Sequence, residues 1–347
     1  MVEVERAAAP DDLVQLIWAF RASQAVHVAA ALGLADLLAA GPRRAADLAR
    51  ATGTHPRALF RLLRALAAVG VVAAVPAAAG TADDAGAFGL TDLGQFLRAD
   101  HPQSLHGLAV FAGQPMMWGT WQHLRHSVTT GEPAFRHAHG VDPWAYLVQH
   151  PAAGQVFDAA MTSISLRQRD AVVAGYDFSR ARTVVDVGGG HGALLAAVLA
   201  ANPEVRGVLF DQPHVVAGAP EPLRAAGVAA RCELVGGSFF DAVPAGGDIY
   251  LLKNVIVDWD DAQATAILRV CRRAMPAAAR LLVVQRVLAP GDAPDPATFG
   301  DLNMLVMVGG QERTAAEFAA LYEAAGFRPP RILPTAAGVS LIEGQLA

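Results

Sequence analysis

Lysine is almost missing from this chain: Lys253 is the only one in 347 residues, the other basic side chains being arginines, and nowhere do they form a basic block. The formal net charge of −5 is mild and spread out. A phosphate backbone or an anionic membrane face needs a concentrated positive footprint, so neither nucleic acid nor membrane is expected as a partner. Cysteine is scarce too. Cys232 and Cys271 have no CxxC spacing, which argues against a disulfide framework and points to two buried thiols in a reducing compartment. No run reaches the ~18 apolar residues of a spanning helix, and residues 1–12 carry acids where a signal peptide would carry an apolar stretch. A cytoplasmic chain is the expectation. Histidines are present, but none stand at metal-ligand spacing, so no metal is expected.

What is there begins with helical patterning. Apolar residues from Leu13 to Leu38 keep a helical period broken at Gly33, and helices are predicted over 45–51 and 56–69, with Thr54 as a candidate N-cap for the second. Val71 to Val75 and Ala87 to Thr91 then read as a ribbon joined by a Pro/Ala/Gly/Asp-rich tip through Gly86. Three helices and a ribbon are the layout of a winged helix, and without a basic face it is assigned to protein contact rather than DNA. A second helical block, 105–174, is rich in aromatic and sulfur side chains. Phe157 and Met161, four apart, share a helix face. Together with Trp118 and His123 they are candidates to wall a pocket for a flat apolar substrate.

From Thr183 the character changes. Thr183-Val-Val-Asp186-Val reads as a buried strand, and Gly188-Gly-Gly190-His-Gly192 as a tight turn into a helix near Ala193. Strand, glycine turn and helix N-terminus make a nucleotide-type site. Further strands are predicted at 205–210, 231–235, 248–253 and 280–287 with helices between them, then a helix over 314–325 and β segments at 328–333 and 339–344. This alternation implies an α/β, Rossmann-like sheet that binds its ligand at the carboxyl ends of the strands. Asp211 follows the glycines by about twenty residues, where a carboxylate can accept the hydroxyls of a ribose. With no second half-fold for a dinucleotide, a single nucleoside fits better.

Several stretches in this order carry a resemblance: Ala30-Ala-Leu-Gly-Leu-Ala-Asp36, Asp186-Val-Gly-Gly-Gly-His-Gly192, Phe210-Asp211-Gln-Pro213, Gly237-Ser-Phe-Phe240, Lys253 through Asp258-Trp259-Asp-Asp261, and Gly309-Gly-Gln-Glu312-Arg-Thr314. The chain resembles the S-adenosylmethionine-dependent O-methyltransferases of the plant caffeate and bacterial polyketide-tailoring type over nearly its whole length. The resemblance implies a homodimer, with a winged-helix dimerisation domain over 1–100, a helical linker and substrate-chamber block over 101–175 and a class I methyltransferase domain over 176–347. It implies S-adenosylmethionine as cofactor, held by a loop from Asp186 through Gly188 and Gly190. Gly188 would lie beside the methionine part, Asp211 on the ribose, Ser238 and Phe239 at the adenine and Lys253 near the adenine edge. Met304 and Met307 match positions that line the substrate chamber.

The resemblance also exposes a departure. Where relatives carry a histidine that takes the substrate's proton, this chain reads Lys253-Asn-Val-Ile-Val257-Asp258-Trp259, and valine accepts no proton. One of the two glutamates that orient that histidine is replaced by Gln285; the other matches Glu312. Asp258, Glu312 and the histidines of the helical block are the candidate replacements, although Asp258 is expected to cap the following helix. The expected function is methyl transfer to an aromatic, polyketide-like acceptor by positioning alone. Two readings stay beside it. One is a repurposed relative that binds the cofactor and performs hydroxylation, decarboxylation or cyclisation; the other is a dimeric ligand sensor without catalysis.

Overall fold

The computed structural model of the chain describes residues 9–75, 86–291, 295 and 298–347. The predicted tip of the ribbon, 76–85, lies outside the described residues. The chain divides between Gln114 and Pro115 into two compact units. Among the described residues no helix is long and apolar enough to cross a membrane.

The first unit is mostly helical. Gly33 takes a left-handed φ of 63° and separates the Phe20–Ala31 helix from Leu34–Leu38, so the break expected at this glycine is present. In the Pro56–Ala68 helix the buried residues are Leu59, Leu63 and Leu66, spaced on one face so that they pack into a core with Leu34, Leu48 and Phe88. Its N-cap is His55 rather than Thr54; the Thr54 hydroxyl pairs with that of Thr52 at 2.8 Å instead. Strands β1 (Arg43–Arg44), β2 (Val72–Val75) and β3 (Ala87–Leu90) form an antiparallel sheet in the order β1-β3-β2, one strand more than the ribbon predicted. By contrast the Pro10–Trp18 helix buries nothing in the isolated chain. It leaves Leu13, Leu16 and Ile17 exposed.

The second unit is built on a seven-stranded sheet. Its strands are β4 (Thr183–Val187), β5 (Arg206–Asp211), β6 (Cys232–Gly236), β7 (Ile249–Lys253), β8 (Arg280–Gln285), β11 (Arg331–Pro334) and β12 (Ser340–Gly344). The order is β11-β12-β8-β7-β4-β5-β6, with β4 to β8 parallel and β12 antiparallel to β8. Covered on both faces, β4, β7 and β8 are nearly continuous in apolar residues, as buried parallel strands must be. Cys271 lies in this core. Cys232, expected to be buried as well, is only half-buried because it opens β6, the edge strand. The predicted 280–287 strand leaves the sheet after Gln285, and Val287–Leu288 (β9) pairs instead with Arg313–Thr314 (β10). The chain runs from β4 outward through β5 and β6, then returns to place β7 on the other side of β4. This reversal opens a crevice at the carboxyl ends of β4 and β7.

One buried cation fixes the loop beyond β7. Arg313 is fully buried; its guanidinium donates to the carbonyls of Ile256 and Trp259, at 3.1 and 2.9 Å, and to Asp261 Oδ1 at 3.0 and 2.8 Å. Because the Asp261 side chain is 70% exposed, the ion pair itself contributes little, and the carbonyl bonds matter more. Arg313→Ala would orphan the Ile256 and Trp259 carbonyls and is predicted to destabilise the protein by about 2–4 kcal/mol. Urea unfolding of the two proteins side by side checks it.

Candidate active site

The crevice deepens into a cavity of about 940 Å³, within the range of small-molecule sites. Its floor is the glycine loop after β4. Gly188 and Gly190 have φ of 69° and 59°, a region closed to most side chains. The Gly188 N–H donates to the Phe210 carbonyl at 2.8 Å, and a Cβ on Gly188 would come within 2.6 Å of Val255 Cγ2. The Gly190 N–H donates to Asp211 Oδ2 at 2.8 Å, so the loop and the end of β5 hold each other. The other Asp211 oxygen accepts from the Gln212 N–H at 2.7 Å.

Charge in this cavity is mostly negative and mostly shielded. Asp186, at the end of β4, is 1% exposed, and burial pushes its carboxyl up to about 7, against the pull of Lys253. Its Oδ1 has no hydrogen-bond partner among the described residues. Burial also raises Asp211, against its two backbone N–H bonds, and Asp158, against the nearby His191. His191 Nε2 lies 3.6 Å from Asp158 Oδ2. Lys253, at the end of β7, is drawn down to about 8 by burial and donates from Nζ to Ser165 Oγ at 3.1 Å. An orphaned carboxylate oxygen and several desolvated carboxylates around one lysine suit a ligand that carries positive charge and hydroxyl donors. S-adenosylmethionine, with its sulfonium, ammonium and ribose, matches that chemistry.

Aromatic rings close the remaining wall. Trp259 packs edge-on to Phe240 and Phe239, with centroids 4.7 and 5.9 Å away, and stacks on Trp144 at 6.1 Å. Trp144 meets Phe157 edge-on at 5.9 Å. The Ser238 hydroxyl accepts from the Phe240 N–H at 3.2 Å, which shapes the turn that presents Phe239.

Of the residues singled out from the sequence, the structure brings Asp186, Gly188, Gly190, Asp211, Ser238, Phe239, Lys253, Phe157, Met161 and Asp258 to this one cavity. Trp118, His123, Met304 and Met307 are not among its lining residues. The Thr298–Met307 helix carries the last two and packs against Pro115–Trp121, Leu124–Thr130 and Ala134–His139. Trp121 Nε1 donates to Asn303 Oδ1 at 3.0 Å in this layer, and His123 packs on His137.

Behind the cavity, Val257 is 7% exposed and its carbonyl accepts from the Gln311 N–H at 2.9 Å. Asp258 does not cap the following helix as expected. The cap of Asp261–Ala274 is Asp260, whose Oδ1 accepts from the Gln263 N–H at 2.8 Å. The reason is register: the Ile256–Asp258 turn ends two residues short of the helix. Burial, then the charge of Glu312, push Asp258 up to about 8. Glu312 lies outside the cavity lining and is itself raised by burial; Gln285 Nε2 donates to its Oε2 at 3.4 Å.

Sequence reasoning overlooked Asp158, Ser165, His191 and Trp259 as site residues, whereas Trp144, one of the aromatic residues of the helical block, does line the cavity. A signal existed for some of them. The four-residue step from Phe157 to Met161 continues to Ser165 on the Pro151–Gly175 helix, with Asp158 one position along, and His191 stands inside the glycine loop.

Comparison with known proteins places the chain among O-methyltransferases. Residues 121–328 match the O-methyltransferase domain and residues 14–100 the O-methyltransferase dimerisation domain. The phenazine O-methyltransferase PhzM of Lysobacter antibioticus is 44% identical over 348 residues, covering 99% of each chain. The mitomycin biosynthesis 6-O-methyltransferase of Streptomyces lavendulae is 44% identical over 346 residues, covering 97% of this chain and 95% of that one. Among solved structures, the O-methyltransferase NcsB1 from neocarzinostatin biosynthesis, in complex with S-adenosylmethionine and 2-hydroxy-5-methyl naphthoic acid, superposes with a TM-score of 0.76 at 36% identity, covering 94% of this chain and 96% of that one.

Gly188→Ala tests the loop. A methyl group in a left-handed backbone position and against Val255 costs roughly 1–3 kcal/mol locally. The predicted outcome is a folded protein whose affinity for S-adenosylhomocysteine, measured by calorimetry, falls at least about tenfold, the equivalent of 1.4 kcal/mol.

Proposed function

The chain belongs to the O-methyltransferase family, and we propose that it methylates a hydroxyl of a flat aromatic natural-product acceptor without the histidine that relatives use as base. The cofactor is S-adenosylmethionine, which when bound supplies an electrophilic methyl group on a sulfonium. Toward it, Gly188 leaves room beside the methionine part and Asp211 has lone pairs left for the ribose hydroxyls. Ser238 and Phe239, which line the same cavity, would hold the adenine, with Lys253 near its edge. Asp186 offers a buried oxygen to positive charge. The rings of Trp144, Phe157 and Trp259 suit an aromatic acceptor, and the substrates in the relatives' names support that class. The dimerisation match and the exposed Leu13, Leu16 and Ile17 support a homodimer.

The observation that carries the reading is that Val257, which the resemblance aligns with the base, is a buried hydrocarbon. Magnitudes allow its loss. A general base contributes about 10²–10⁴ in rate, whereas holding two reactants in line contributes effective molarities on the order of 10⁵–10⁸ M. An acceptor whose hydroxyl is already acidic, such as a phenol flanked by a carbonyl, loses least.

A panel of hydroxyanthraquinones and phenols incubated with isotopically labelled donor tests this reading. The expected product carries the labelled methyl, most readily on the acidic phenols; acceptor consumed without gaining a methyl would overturn it. Val257→His is expected not to raise turnover on acceptors that bind ionised. A large gain on neutral phenols would instead reveal an ordinary site with a damaged base.

A further inference from the structure

We infer that Asp258 accepts the proton of the acceptor hydroxyl, with Glu312 as a positioning residue behind it; this rests on the methyl-transfer reading above. Three observations carry it. First, Asp258 lines the cavity next to Trp259, and its carboxyl has no side-chain hydrogen bond among the described residues. Second, the structural task open to it is done elsewhere. Asp260 caps the helix, and the turn holding Asp258 is closed by its own backbone, Asp258 N–H to the Val255 carbonyl at 3.2 Å. Third, the backbone on either side is fixed. Arg313 holds the carbonyls of Ile256 and Trp259, and Gln311 holds that of Val257, so the carboxyl is presented by a rigid turn. A carboxylate left bare on a partly dry wall costs solvation energy, and a substrate hydroxyl recovers it.

The surroundings set its proton affinity. Glu312 is the charged group acting on Asp258. Glu312 is faced in turn by Arg286, Asp301 and Arg313, and by the Gln285 amide. Gln285, which donates to Glu312, is neutral, so Glu312 is the carboxylate whose charge acts on Asp258. In the step itself the acceptor O–H bond breaks, its electron pair stays on the oxygen, and the proton passes to an Asp258 carboxylate oxygen. Asp258 returns the proton to water as product leaves, so no other reagent is consumed.

The test compares the wild-type protein with Asp258→Asn and Glu312→Gln on phenols of graded acidity. For weakly acidic phenols Asp258→Asn should lower kcat by about 10²–10⁴ and abolish the rise of kcat with pH through about 8. On phenols already ionised in solution, which bring no proton to accept, most of that roughly 10²–10⁴-fold loss should disappear. Glu312→Gln removes a negative neighbour and should move the rise to lower pH. A readout free of turnover uses S-adenosylhomocysteine in the donor site and a chromophoric phenol. Its bound phenolate absorbance should fall in Asp258→Asn while donor affinity stays unchanged. Equal losses on both classes of phenol, or an unaltered pH profile and phenolate signal, would overturn the assignment. Failure of the wild-type protein to methylate any phenol would count against the functional reading instead, and the absorbance comparison would still decide the role of Asp258.

Discussion

Carboxylates held away from water at the carboxyl edge of the large sheet are the constraint on which this molecule turns. Asp186 and Asp211 end adjacent parallel strands, Asp158 reaches in from the long helix, and Asp258 stands on the turn after β7. Burial raises the proton affinity of each one. Such groups are tolerated only when something answers their charge. Lys253 and backbone N–H groups answer part of it, and a cationic donor and a substrate hydroxyl are suited to the rest.

The fold exists to hold these groups still. Reversal of strand order at β4 makes the crevice, left-handed glycines let the loop after β4 approach a ligand, and the buried Arg313 locks the turn after β7 from behind. Arg313 and Glu312 are adjacent in sequence, so one short segment both fixes the Asp258 backbone and tunes its carboxyl.

Much of this was legible from residues alone. The glycine turn, Asp211 and Lys253 sit where pattern reasoning places them, because strand, turn and helix N-terminus are local features with strong sequence signals. Boundaries set by tertiary contact were not. Cys232 reads as core until the sheet order puts its strand at the edge, and Thr54 reads as a cap until its hydroxyl is seen to pair with Thr52. The most consequential misreading is a matter of two residues. Asp258 and Asp260 are equally good caps by composition, and only the length of the turn before the helix decides that Asp260 takes the role. The pairing of His191 with Asp158 is invisible for a similar reason, since 33 positions separate them and no periodicity links a glycine loop to a helix face.

Burial and the charge of Glu312 thus push the Asp258 carboxyl, next to Val257, up to about 8, so that it is free to take a proton from about that pH upward. The most direct measurement is the titration of the Asp258 carboxyl carbon by NMR in aspartate-labelled protein, assigned by difference from Asp258→Asn. A midpoint near 8 is predicted. A midpoint near 4, that of an ordinary solvated aspartate, would contradict the account.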